Sequence, residues 1–115
     1  MAKHIYWYQT ASGRRPFGEW LLSLNDKRAR HQVTTRLDRM ILGHFGDTKR
    51  VGAGVLELRI HFGPGYRVYF GLEGLGTIIL LCGGDKSSQR RDIQTAQTYW
   101  ADYQRRRDES GSEPS

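Results

Sequence analysis

From Leu56 to Phe70 the chain alternates oily and polar residues in steps of two. Leu56, Leu58, Ile60 and Phe62 form one row, with Glu57, Arg59 and His61 between them. Beyond Gly63-Pro64-Gly65 the rhythm resumes: Tyr66, Val68 and Phe70 make one row, Arg67 and Tyr69 the other. A period of two belongs to β-strands, whose side chains point to opposite faces in turn. The pattern predicts strands over Val55–Phe62 and Tyr66–Leu72. A three-residue loop would set Phe62 opposite Tyr66, Ile60 opposite Val68, His61 opposite Arg67 and Arg59 opposite Tyr69. A slip by one residue would mix the rows. One face is then expected to pack on helices while the other displays two guanidiniums, an imidazole and a phenol.

Elsewhere the period changes. "HIYWYQT" reads as a first strand from its aromatic and β-branched residues. Phe17, Trp20, Leu21 and Leu24 recur at helical spacing, with Pro16 suited to the first turn. Val33, Leu37, Met40 and Ile41 mark a second helix, with Asp26 as its cap and Gly43 or Gly46 as its end. "GDTKRVGAG" reads as a loop. "TIILLC", Thr77–Cys82, is apolar on both faces and reads as an interior strand. A last helix follows over Ser87–Arg107, with Ile93, Ala96, Trp100 and Tyr103 as its stripe. The order strand, helix, helix, three strands, helix gives an α+β fold: an antiparallel sheet with an N-terminal helical hairpin and a C-terminal helix. Residues 1–107 form one domain, and the polar stretch 108–115 is expected to be a frayed tail.

Charge narrows the partners. Eighteen Lys and Arg against twelve Asp and Glu give a net charge of +6. That balance suits a polyanion, although it also lies within what solubility requires. Cys82 is the only cysteine, so no internal disulfide can form, and its apolar neighbours imply a buried thiol. No leader opens the chain and no apolar run is long enough to span a bilayer, which points to the cytoplasm and no membrane.

Several chemistries drop out. "CGGDKSS" has Asp85 where a phosphate loop needs glycine, and "GAG" at 52–54 precedes a strand rather than a helix. His4, His31, His44 and His61 form no pair with metal-ligand spacing, so neither metal nor cofactor is expected. There is no nucleophile elbow. What remains is RNA chemistry, in which the substrate brings its own 2′-OH. Arg59, Arg67 and Lys86 suit the phosphate charge, His61 the proton transfer, and Tyr66 or Tyr69 a stacked base. Lys86 and Arg90 lie where the Gly83-Gly84 turn leads into the last helix, a setting favourable to anions. The competing reading is an ordinary solvated sheet face.

"ELRIHFGPGYRVYF" followed by "LLCGGDKSSQRRDIQTA" resembles the RelE/ParE superfamily of toxins from type II toxin–antitoxin modules. The nearest branch is the HigB-like group of addiction module killer proteins, which "FGEWLLSL" also matches. The resemblance spans nearly all of residues 5–104. It implies a compact α+β toxin that cleaves mRNA on the ribosome without metal or cofactor, held in check by a helix-turn-helix antitoxin. By motif, Arg67 falls on the strand arginine that such toxins set against phosphate, and Lys86 near their second basic position. Ile93 stands close to the place of a RelE tyrosine that takes part in proton transfer. The gyrase-directed ParE toxins share the fold, so inhibition of gyrase without catalysis is the alternative.

Overall fold

In the computed structural model, residues 3–111 are described. Strand β1 (His4–Trp7) leads to helices α1 (Pro16–Ser23) and α2 (Lys27–Ile41). Strands β2 (Thr48–Arg50), β3 (Leu56–Ile60), β4 (Tyr66–Glu73) and β5 (Thr77–Asp85) follow. A 3-10 turn over Lys86–Ser88 then enters the long helix α3 (Gln89–Gly111).

The helix ends obey local chemistry. Pro16 occupies the first turn of α1, where its missing N–H is not needed. Asp26 caps α2 by accepting from the Arg28 backbone N–H at 2.8 Å. The end of α2 is a left-handed turn at Gly43 (φ 89°). There Gly43 N–H donates to Met40 C=O and His44 N–H to Arg39 C=O.

The five strands form one sheet in the order β1-β5-β4-β3-β2. The sheet is mixed, which corrects the expectation of a wholly antiparallel one. β3, β4 and β5 run antiparallel in succession, but β1 lies parallel to β5 at the edge. β2 is a second correction, because Thr48–Arg50 reads as loop yet pairs with Leu56–Leu58. So short a polar edge strand carries no hydrophobic period. β5 is interior, as its double-sided apolar pattern requires.

The β3–β4 register differs from expectation by two residues. Ile60 faces Tyr66, Arg59 faces Arg67, Leu58 faces Val68 and Glu57 faces Tyr69. The connection therefore spans residues 61–65, and His61 and Phe62 lie beyond the strand. A shift of two keeps every side chain on its expected face, so the rows survive while the partners change.

Both faces of the sheet are covered. Leu58, Ile60, Val68, Phe70, Ile78 and Leu80 pack with Phe17 of α1 and Val33, Leu37 and Met40 of α2. α1 lies against β5 and α2 against β3. On the other face Tyr69, Ile79, Leu81 and Cys82 pack with Ala96 and Trp100 of α3. The row expected to meet water is thus largely interior: Glu57 and Tyr69 are 0% exposed and Arg67 9%. The apolar stripe of α3 demands a seat, and α1 and α2 already occupy the first face. Gly71 makes that seat, for a Cβ there would overlap the Trp100 ring. Helix α3 also runs through residues 108–111, the start of the stretch read as a tail; residues 112–115 lie outside the described part.

Candidate functional site

The polar row is gathered at the hairpin end of the sheet, beside the first turn of α3. Glu57 on β3 and Tyr69 on β4 are cross-strand partners. The Tyr69 hydroxyl donates to Glu57 Oε2 at 3.0 Å, and Gln89 Nε2, from the first residue of α3, donates to the same oxygen at 2.9 Å. Burial, and then the Glu57 charge, push the Tyr69 phenol far above its ordinary pKa, so it remains a donor at any physiological pH. Tyr69 is therefore a strut in the interior and not a stacking platform, which corrects its expected role.

Arg67 is the next residue outward on that face. Its Nε lies 3.9 Å from Glu57 Oε2, and its Nη1 donates to Gly65 C=O at 2.8 Å. Arg67 Nε and Glu57 Oε1 are buried without a hydrogen-bond partner. Nη2 has none either among the described residues, and it is not among the buried atoms. The guanidinium is thus backed by a buried carboxylate and fixed by a carbonyl, with one amino group left for a ligand.

Lys86 arrives from the end of β5. Asp85 accepts from the Ser87 backbone N–H at 2.8 Å and the Ser87 hydroxyl at 2.5 Å, bonds that fix the turn and hold the Asp85 carboxyl below its usual range. Gly65 (φ 81°) sits between the two cations. A Cβ there would lie 3.0 Å from Arg67 Nη1 and 3.8 Å from Lys86 Cβ. Lys86 itself is exposed. Gly84 faces Asp92 so closely that no Cβ fits, and Asp92 accepts from the Ser88 hydroxyl at 2.5 Å. Gly83 and Gly84 continue β5 and do not form the expected turn, but they do permit close approach of sheet to helix.

Arg59 stands directly across from Arg67. Like charges in that position repel. Glu57 offsets one, and Asp47, 3.4 Å from Arg59 Nη2, offsets the other. Asp47 also holds the exposed His61, whose Nε2 lies 2.6 Å from Asp47 Oδ2. The bond to His61 first, and Arg59 second, lower the Asp47 carboxyl. His61 is not opposite Arg67 as expected; it belongs to the loop, on the Arg59 side. Tyr66 points to the opposite face, edge-on to Trp20 at 6.2 Å, and is not part of the cluster. Arg90 is exposed on the first turn of α3, where it lines a shallow hollow with Ser87, Ser88 and Arg91.

Arg59, Arg67 and Lys86 thus come together, with His61 and Arg90 at the margins and Tyr66 and Tyr69 excluded. Glu57, Gln89 and Asp47 escaped the sequence reading. The signal for Glu57 was available, since it lies in phase with Arg59 on a strand separated by only one other from β5, which is apolar on both faces. Chemically such a cluster of cations is able to receive an anion. Among the described residues no group of three or more His, Cys, Asp and Glu is arranged to hold a metal ion.

A family described as phage derived protein Gp49-like matches residues 19–101. An uncharacterized protein of Haemophilus influenzae (strain Rd) is 48% identical over 80 residues, which cover 70% of this chain and 81% of the relative. The chain belongs to the Gp49-like family. Gp49-like proteins are addiction-module toxins of the RelE/HigB type, so membership implies a cognate antitoxin as partner. The matched span holds every residue of the cluster and leaves out β1. No described helix of this Gp49-like protein is long and apolar enough to cross a membrane.

Proposed function

We propose that this Gp49-like toxin is a HigB-like endoribonuclease that cleaves mRNA on the ribosome, without a metal, and so arrests translation. The observation that carries the reading is the like-charged pair Arg59–Arg67, flanked by Lys86 across Gly65. Two arginines set opposite each other across neighbouring strands at a cost suit a phosphate, which relieves the repulsion. In the step envisaged, the 2′-oxygen forms a bond to the adjacent phosphorus and the bond from phosphorus to the 5′-oxygen breaks. Arg67 and Lys86 hold the charge that builds on the phosphoryl oxygens. His61 takes the first proton: with Nε2–H donating to Asp47, Nδ1 is left as the acceptor for the 2′-OH proton, and a water molecule protonates the departing 5′-oxygen. Arg59 and Arg90 bind the flanking backbone. The antitoxin, in this reading a helix-turn-helix protein, neutralises the toxin in the cytoplasm.

Arg67 is a poor residue for a clean test, because its removal leaves Glu57 buried and alone. Lys86 is exposed and makes no hydrogen bond or ion pair among the described residues. Lys86→Ala is expected to slow cleavage of mRNA on programmed ribosomes by roughly 10²–10³-fold while leaving stability unchanged. Cleavage at the wild-type rate would overturn the assignment. One observation favours the rival reading: Arg67 is largely interior and paired with Glu57, as a purely structural arginine would be. A wild-type chain that leaves mRNA intact but blocks supercoiling by gyrase would establish the non-catalytic, ParE-like alternative.

A further inference from the structure

We propose that the outer edge of β1 is a strand-addition site. An extended acidic segment of a partner protein would pair with it as a sixth strand and send alternate side chains into hollows on either side. Under the toxin reading, on which the identity of the partner rests, that protein is the antitoxin; the surface itself is argued from the edge alone.

β1 is bonded on one side only. Its even-numbered residues face β5: His4 N–H donates to Gly76 C=O at 2.7 Å and Tyr8 N–H to Leu80 C=O at 2.9 Å. In a parallel ladder the intervening residues then turn the other way. The N–H and C=O groups of Ile5 and Trp7 therefore point out of the sheet, and no turn, cap or side-chain hydrogen bond takes them up. The open stretch is bounded at both ends, since Lys3 N–H donates to Ile41 C=O and Arg106 donates to Gln9 C=O.

The two edges of the sheet are treated differently. β2 carries Lys49 and Arg50, both exposed, the usual protection of an edge against stray pairing. β1 carries Tyr6 and Trp7, 58% and 43% exposed. A groove of about 690 Å³ runs between Tyr6, Tyr8 and Tyr103, with Arg106 and Arg107 at its rim. On the other side a hollow of about 540 Å³ lies between Trp7 and Leu22, beside Arg14 and Arg15. An added strand needs this pair of pockets, one for each parity of its side chains. The linings hold four arginines and a single carboxylate, Glu19. Arg14, Arg106 and Arg107 are already paired with carboxylates, which leaves Arg15 as the uncompensated charge among the described residues. With a net charge of +6, a second copy of the chain is repelled and an acidic segment attracted.

The test is amide hydrogen exchange of the full-length chain, alone and with its cognate antitoxin. Exchange at Ile5 and Trp7 is expected to slow at least about tenfold in the complex, while Lys49 and Arg50 stay unchanged. Tyr6→Glu and Arg15→Glu change exposed side chains and should each weaken binding about tenfold with unaltered melting. Binding without protection at Ile5 and Trp7, or with both variants at wild-type affinity, would overturn the proposal. So would protection that rises with the concentration of the chain alone, which assigns the edge to a second copy. Absence of binding by a chain that still arrests growth sinks the edge and leaves the toxin reading standing. A harmless chain whose Ile5 and Trp7 are nevertheless protected does the reverse.

Discussion

Glu57→Gln isolates the charge of the buried carboxylate from its shape. In the folded protein Glu57 is fully buried, accepts from Tyr69 and Gln89, and stands 3.9 Å from Arg67 Nε. The amide can still accept one or both neutral donors but no longer balances Arg67. Breaking a buried pair by removing one partner costs about 3–5 kcal/mol. The pair here is not in direct hydrogen-bond contact and the Arg67 side chain is 11% exposed, which places the cost near the lower bound, about 3 kcal/mol. Glu57→Ala adds two orphaned donors at about 1–3 kcal/mol each. Its sum reaches about 5 kcal/mol or more, close to the whole stability of many domains. Urea unfolding followed by tryptophan fluorescence measures both. A double-mutant cycle with Arg67→Gln should return a coupling above about 1 kcal/mol. Should Glu57→Gln unfold within about 0.5 kcal/mol of wild type, the carboxylate is not the counter-charge of Arg67 and the description of the cluster is wrong.

Gly71→Ala drives a methyl into the Trp100 ring and should cost about 1–3 kcal/mol in the same assay, whereas Gly74→Ala meets no neighbour and loses only what its positive φ imposes. Burial pushes the Cys82 thiol up to about 12, so a thiol reagent at pH 8 should fail on the native protein and react once urea unfolds it. Burial, with Asp102 and Glu73 as the next causes, raises the Tyr8 and Tyr103 phenols to about 12. A folded pKa above the unfolded value near 10 means their stabilisation is complete below pH 10 and lost as pH climbs from 10 to 12. Unfolding midpoints should therefore decline as pH rises from 10 to 12, and Tyr8→Phe should flatten part of that decline.

The sequence reveals the order of every element but β2, the two rows of β3 and β4 and the interior place of β5, because each rests on a hydrophobic period over several residues. β2 and the parallel pairing of β1 are not legible, since three polar residues have no period and strand direction leaves no mark on composition. The misreading of the polar row has an identifiable cause. Glu57, Arg67 and Tyr69 look solvated when β3 and β4 are read alone. Yet β5, oily on both sides, demands cover on both, and the stripe of α3 supplies it over the neighbouring strands too. Arg67 and Lys86 are legible as a pair because the β4–β5 turn returns the chain to its start. His61 is displaced because the loop takes five residues where Gly-Pro-Gly suggests three. Asp47, in a stretch that reads as loop well before the predicted strand, could not be tied to His61 without β2.

Helix α3 is clasped to its sheet face by polar fasteners of unequal quality. At its first residue Gln89 is pinned into the interior on Glu57; toward its other end Asp102 grips Tyr8 and Arg106 the Gln9 carbonyl, both close to solvent. Peeling of this 23-residue rod should therefore begin at its far terminus and travel inward, with the guanidinium end released last. The cation cluster is built at the root of the helix, where loosening elsewhere in the molecule reaches it only after most of the fold has already gone.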